Sequence, residues 1–382
     1  MVTKILAAVS VVLLMWAVAC SSGESEHQPT ATTVDIEATV DAGVATAIAS
    51  QLAATIKPSP TSTKVPASTA TPAEAKMVAS IPTIQLVNYS SFSTDDIEKW
   101  IDLTESRMAS RKSRIFVFIY PLGKVKEPEK RIVGTDYASG VYREQTVLLS
   151  QDEIETILSQ IEAWLQEDSC VHKERKALAL SDYRIWLEQG ADSSFQQALC
   201  ETTRVVMMAI HPQIRDHEPI EYFHYFLVHE LYHALSQDLD DRGECSRKRN
   251  DAGINSNSVW MYEGGAHYFG TWLVAEEYGK PNYRSQILES AKQAFERNGN
   301  NKHLGEGNPA PDRAGAAALS LMIEHGMVTE GAILDGSLFH NCDRELKFDH
   351  TSPDIQHIHN SWYLIEQDSG VFQFTEEALI AN

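Results

Sequence analysis

The chain of 382 residues carries 32 Lys and Arg against 53 Asp and Glu, a formal net charge of −21, with 43% hydrophobic residues. That apolar content sustains a packed core and excludes global disorder. The acidity excludes a nucleic-acid partner, because the one dense basic run, Arg247-Lys248-Arg249, sits beside Asp240, Asp241 and Glu244 and reads as a solvated loop.

In chain order, the first feature is Lys4 ahead of an apolar stretch, Ile5 to Val18, that is short for a spanning helix. Residues 1–20 read as a signal peptide. Ala17-Val18-Ala19-Cys20, followed by Ser21-Ser22-Gly23, resembles the lipobox of bacterial lipoproteins, with Ala17 where leucine is commoner. The resemblance implies export, lipidation of Cys20 and attachment to a membrane on its extracytoplasmic side. Ordinary signal cleavage or an uncleaved anchor are the alternatives.

Residues 21–80 change composition. Pro58-Ser59-Pro60-Thr61-Ser62-Thr63 and Ser68-Thr69-Ala70-Thr71-Pro72 bury too little apolar surface to offset ordering entropy, so they read as a tether. Ile36, Val40, Val44, Ile48 and Leu52 recur every four residues and suggest a weakly helical stalk ahead of it.

The folded part is expected from about residue 81, as an α+β portion over 81–218 and a helical portion over 219–382. Ser93 and Thr94 followed by Asp95 and Asp96 predict a helix running to about Met108. Arg114 to Tyr120 is β-branched and aromatic without helical period, a predicted strand. Residues 151–166 predict a helix with Ile154, Ile157, Leu158, Ile161 and Trp164 on one face. Thr203 to Ile210 predicts a short apolar strand ended by His211-Pro212. After Cys20, four cysteines remain: Cys170, Cys200, Cys245 and Cys342. In an exported chain they predict two disulfides, with three pairings open. No CxxC pair offers a cysteine metal site.

The chemistry concentrates in His229-Glu230-Leu231-Tyr232-His233. On a helix, the two histidines project from one face a turn apart and can share a tetrahedral zinc, with Glu230 able to reach a water there. Glu221 to Leu235 contains neither Gly nor Pro and is apolar nearly all round, as a buried helix requires. Ser236 and Leu239 stand where a metzincin has its Gly and third His, so that class is excluded.

Downstream lies Trp260-Met261-Tyr262-Glu263-Gly264-Gly265-Ala266-His267-Tyr268. H-E-x-x-H followed by W-x-x-E-G-x-A is similar to the gluzincins, most closely the peptidase MA-like proteins. The resemblance is strong over 222–270 and weak over the rest of 114–380. It implies a thermolysin-like zincin core with a small mixed N-terminal sheet and a helical C-terminal half. It also implies Zn2+ held by His229, His233 and Glu263, Glu230 as the catalytic base, and a peptide or protein substrate. On that likeness Val205–Ile210 is either the edge strand on which a peptide pairs or an interior strand. Residues 361–377 look like closing helices.

His267 shares a helix face with Glu263, and is either the third ligand in its stead, a group that orients it, or an ordinary polar residue. The likeness departs at one place: where a tyrosine is expected to stabilise the oxyanion, the chain has Asp312. Arg313, Tyr283, His303 and His325 are the substitutes. The departure keeps a second reading open, a non-catalytic zinc-binding surface lipoprotein with a peptidase-like groove.

Overall fold

Runs of β-branched and aromatic residues build a five-stranded sheet. In this computed structural model, strand β1 (Ile84–Asn88) lies parallel to β2 (Arg114–Val125), joined through helix α1 (Thr94–Arg107). Strand β3 (Gln145–Val147) pairs antiparallel with the far end of β2. Helices α2 (Gln151–Gln166) and α3 (Lys173–Gln189) then lead to β4 (Phe195–Cys200) and β5 (Thr203–Ile210). β5 is parallel to β2 and antiparallel to β4, so the order is β1-β2-β5-β4. The residues described are 84–108, 113–125, 145–167, 170–189, 195–200, 203–236, 259–304, 308–340 and 353–380. All belong to the second of two compact units, Ala75–Asn382. Cys20, the tether, the stalk, Cys245 and Cys342 lie outside them.

Both faces of the sheet are covered. Ile115, Val117, Ile119, Val206, Met208 and Ile210 enter one core, and Phe116, Phe118, Tyr120, Val205, Met207 and Ala209 enter the other. A strand buried on both faces shows a continuous apolar run rather than alternation, which is why neither β2 nor β5 has a polar face in sequence. β5 is hydrogen-bonded on both sides and is therefore the interior strand of the two alternatives. Among the described residues the edge on that side is β4.

The second core holds α2 and α3. A capping box starts α2, with Ser150 and Glu153 each bonding the other's backbone N–H. Cys170, ahead of α3, and Cys200, ending β4, stand at disulfide distance, with Cα atoms 5.9 Å apart.

The first core holds the helical portion: α4 (Pro212–Asp216), α5 (Ile220–Ser236), α6 (Val259–Glu277), α7 (Tyr283–Arg297), α8 (Pro311–Glu324), α9 (Glu330–Leu334), α10 (Gln356–Ser361) and α11 (Glu376–Leu379). Between α10 and α11 the expectation of closing helices is corrected. Ile365–Asp368 (β6) and Val371–Phe374 (β7) form a hairpin. Its turn residues Ser369 and Gly370 have φ of 51° and 86°. Two positive φ values in succession match the twist of paired strands and cannot sit in a helix. Among the described residues no helix is long and apolar enough to cross a membrane.

Candidate metal centre

Helix α5 runs unbroken through residues that keep their backbone N–H groups and place apolar side chains on nearly every side. Phe223, Leu227, Val228, Leu231 and Leu235 are buried. The four-residue step then aims His229 and His233 the same way, with rings 4.8 Å apart and nearly perpendicular.

Glu263 comes from α6, and its position depends on two glycines. A Cβ on Gly264 would stand 2.3 Å from the Gly315 carbonyl carbon, and one on Gly315 would stand 1.8 Å from the Trp260 carbonyl oxygen. Helices α6 and α8 therefore meet backbone to backbone. Any side chain at that crossing would force the two helices apart and shift Glu263 from its place.

The donor atoms converge. His229 Nε2 lies 3.3 Å from Glu263 Oε2, His233 Nε2 lies 3.4 Å from the same oxygen, and the two Nε2 atoms are 3.1 Å apart. A neutral imidazole has a single N–H. If both donate to the carboxylate, two N–H groups face each other; if one donates to its neighbour, the neighbour's Nε2 has no proton left to give Glu263. No arrangement of protons satisfies all three edges without added charge, whereas one cation does. His229, His233 and Glu263 form a group that could hold a metal ion.

Glu230 stands beside this group at 8% exposure. Burial pushes its carboxyl up to about 7, drawn back by His233 and pushed further by Glu263. Burial acts to raise Glu263 as well, but His233 and His229 outweigh it and hold that carboxyl well below the usual range. His229 Nδ1 is buried without a hydrogen-bond partner among the described residues. The site thus lacks, on that ring, the outer hydrogen bond that commonly orients a ligating imidazole. Packing against Tyr225, 5.9 Å away ring to ring, does so instead.

His267 belongs to a separate network rather than to the group of three. Its Nε2 donates to Ser290 Oγ at 3.1 Å, since Ser290 gives its own proton to the Ile287 carbonyl at 2.9 Å. Its Nδ1 faces Tyr225 Oη at 2.6 Å and Asp312 Oδ2 at 3.3 Å. Burial lowers the imidazole's pKa against the pull of Asp312. For Asp312, burial is opposed by His267 and Arg313, which hold it down at about 2. The residue at the expected tyrosine's place is therefore a carboxylate that faces His267 Nδ1 at 3.3 Å.

Of the four substitutes, three are engaged elsewhere. Tyr283 donates to Glu330, exposed His303 faces His359 at 6.2 Å between rings, and His325 meets His357. Arg313 remains beside Asp312 at 3.9 Å. His224, on the opposite side of α5, bonds Asp96 at 2.6 Å and Tyr278 at 2.9 Å. Sequence reading missed Tyr225 and Ser290. Tyr225 had a signal, since 225, 229 and 233 continue one four-residue step; Ser290 had none.

No protein-family model, no curated protein and no solved structure matches the chain.

Proposed function

We propose that the protein is a zinc-dependent peptidase with a thermolysin-like core, in which His229, His233 and Glu263 hold Zn2+ and Glu230 is the general base. The convergence of two Nε2 atoms and one carboxylate oxygen carries this reading. A tetrahedron's edge is about 1.63 bond lengths, so zinc bonds of about 2.0–2.1 Å call for edges of about 3.3–3.4 Å. The three edges here are 3.1, 3.3 and 3.4 Å. Two imidazoles with one carboxylate also leave a fourth position open, as in catalytic rather than structural zinc sites.

Zinc bound there supplies Lewis-acid polarisation of a scissile carbonyl and acidifies water. The chain supplies the proton traffic. Glu230 takes a proton from the attacking water as the new C–O bond forms, then delivers it to the amine nitrogen as the C–N bond breaks. The products are a carboxylate and an amine. Among the described residues β4 is the edge strand beside which an extended peptide would pair, and α5 packs against β4 and β5. With the lipobox-like Cys20, the reading becomes an exported peptidase tethered to a membrane by lipid.

One observation favours the non-catalytic zinc-binding lipoprotein instead. Asp312 is a carboxylate where a donor to the developing oxyanion is expected, and its charge has the wrong sign for that task. A single experiment separates the two: zinc content and cleavage of a peptide library measured on one purified sample, before and after chelation. Bound zinc with chelator-sensitive cleavage supports the peptidase. Bound zinc with no cleavage supports the binding protein, and no zinc rejects both.

A further inference from the structure

A second triangle of donor atoms stands at the far end of α8. His325 caps the C-terminus of that helix, and its Nε2 lies 3.0 Å from the Ala378 carbonyl oxygen. His357, from α10, places its Nε2 3.0 Å from the same oxygen and 3.1 Å from His325 Nε2. The rings meet edge to face, 4.7 Å apart. The 14 residues of α8 separate this triangle from Asp312 and the first centre by about 20 Å, at 1.5 Å per residue.

Hydrogen bonding alone does not account for it. If both imidazoles donate to the carbonyl, sides of 3.0, 3.0 and 3.1 Å subtend about 62° at the oxygen, roughly half the separation of its lone-pair directions. Two N–H groups of like polarity then lie side by side. If His357 instead donates to His325, a nitrogen lone pair faces a carbonyl lone pair at 3.0 Å. Every distribution of one proton per ring leaves one edge repulsive.

A cation relieves all three edges together. Ala378 belongs to the last turn of α11, whose carbonyls lack intrahelical partners and carry the negative end of the helix dipole. Both histidines are half-buried, and water would supply the further ligands. For three cis positions of a tetragonal site, where an edge is √2 bond lengths, these edges correspond to bonds of about 2.1–2.2 Å. That N,N,O donor set suits a borderline divalent transition-metal ion such as Ni2+ or Cu2+.

We propose that His325, His357 and the Ala378 carbonyl form a second divalent transition-metal site, which clasps α11 onto α8 and α10. The site is independent of the peptidase reading and uses none of its residues.

The test is equilibrium dialysis of the metal-stripped full chain against Ni2+, alongside two double variants with folding checked by circular dichroism. The expected result is an equivalent of Ni2+ that survives in His229→Gln/His233→Gln and disappears in His325→Gln/His357→Gln. Each single variant, His325→Gln or His357→Gln, should weaken that equivalent roughly 10-fold or more. A His325→Gln/His357→Gln chain that binds as many equivalents as wild type, at unchanged affinities, overturns the proposal, as does the absence of any equivalent in His229→Gln/His233→Gln. If the first centre binds no metal, wild type shows the second equivalent alone, so failure of one site is distinguishable from failure of the other. Should His325→Gln/His357→Gln fail to fold, the imidazole proton signals of His325 and His357 in wild type decide. Broadening by substoichiometric Ni2+ supports the site, and unchanged signals at saturation reject it.

Discussion

Glu230 and Glu263 sit beside the same two imidazoles, but only Glu263 has an oxygen within 3.4 Å of both. Glu263→Ala removes that oxygen, so zinc affinity and activity should fall together. Glu230→Gln preserves shape and all three donors but cannot take a proton. It should retain about one zinc per chain, measured by atomic emission, while losing a factor of about 10² or more in rate. Unchanged zinc affinity in Glu263→Ala would remove it from the donor set. A second side-chain prediction concerns His224, 2% exposed and stacked 4.5 Å from Trp100. Burial lowers its pKa, against the pull of Asp96. The unfolded chain therefore binds the proton at a higher pH than the folded one. The stability gained by keeping the ring neutral is fully present above the unfolded value of about 6.5 and is lost as pH falls below it. Denaturant unfolding at pH 8 and pH 5.5 should show a smaller pH effect in His224→Gln than in wild type.

Among the elements, α6 and α8 depend most sharply on a single residue type. Gly264 and its neighbour Gly265 differ in what an added methyl would meet: backbone of Gly315 at 2.3 Å for the first, side chains of Phe339 and Tyr232 at 3.2 Å for the second. Side chains can shift, whereas two helix backbones must separate. Gly264→Ala should cost about 3 kcal/mol or more, at the upper end for overpacking, and weaken metal binding by displacing Glu263. Gly265→Ala should cost less and keep the metal, as thermal unfolding and dialysis on the pair would reveal. Periodicity and caps decide which elements were legible. Helix α2 was readable because Ile154, Ile157, Leu158, Ile161 and Trp164 repeat on one face, and the capping box of Ser150 and Glu153 fixes its start. β5 was readable because its apolar run stops at Pro212. Helix α3 was not, since Ala177-Leu178-Ala179-Leu180 is contiguous rather than periodic, and Leu178 and Ile185 are exposed. The hairpin β6–β7 is hard to read because its strands are only four residues long and Ser369-Gly370 is the one turn signal between them. At the centre, His229 and His233 were legible from a local step and Glu263 from a motif. The Tyr225–His267–Asp312–Ser290 network was not, because it exists only once α5, α6, α7 and α8 are packed together.

At the scale of the whole molecule, the reading depends on where the chain resides, and two cysteine experiments address this from opposite ends. If Cys20 is lipidated, Cys20→Ala should leave the membrane fraction or persist as uncleaved precursor, and mass spectrometry of the wild-type N-terminus should find the lipid. Cys170 and Cys200 test the same compartment from inside the fold. They are 30 residues apart in sequence, with Cα atoms 5.9 Å apart. A bond between them would tie the start of α3 to the end of β4, the strand on whose outer edge a peptide is proposed to pair. Closing a loop of that length in the unfolded chain corresponds to about 3–4 kcal/mol on the chain-entropy account. An oxidised chain should therefore lose about 3 kcal/mol in denaturant unfolding when a reductant is added, whereas Cys170→Ala/Cys200→Ala should show no such dependence. Native Cys170 and Cys200 should also resist thiol labelling until reduced. Labelling of both without reductant, in protein isolated from its own cells, would mean that the chain had not been oxidised in an exporting compartment. Export would then fail, and the lipid anchor on Cys20 would fail with it, while the three donors on α5 and α6 would remain to be explained as an intracellular metal centre.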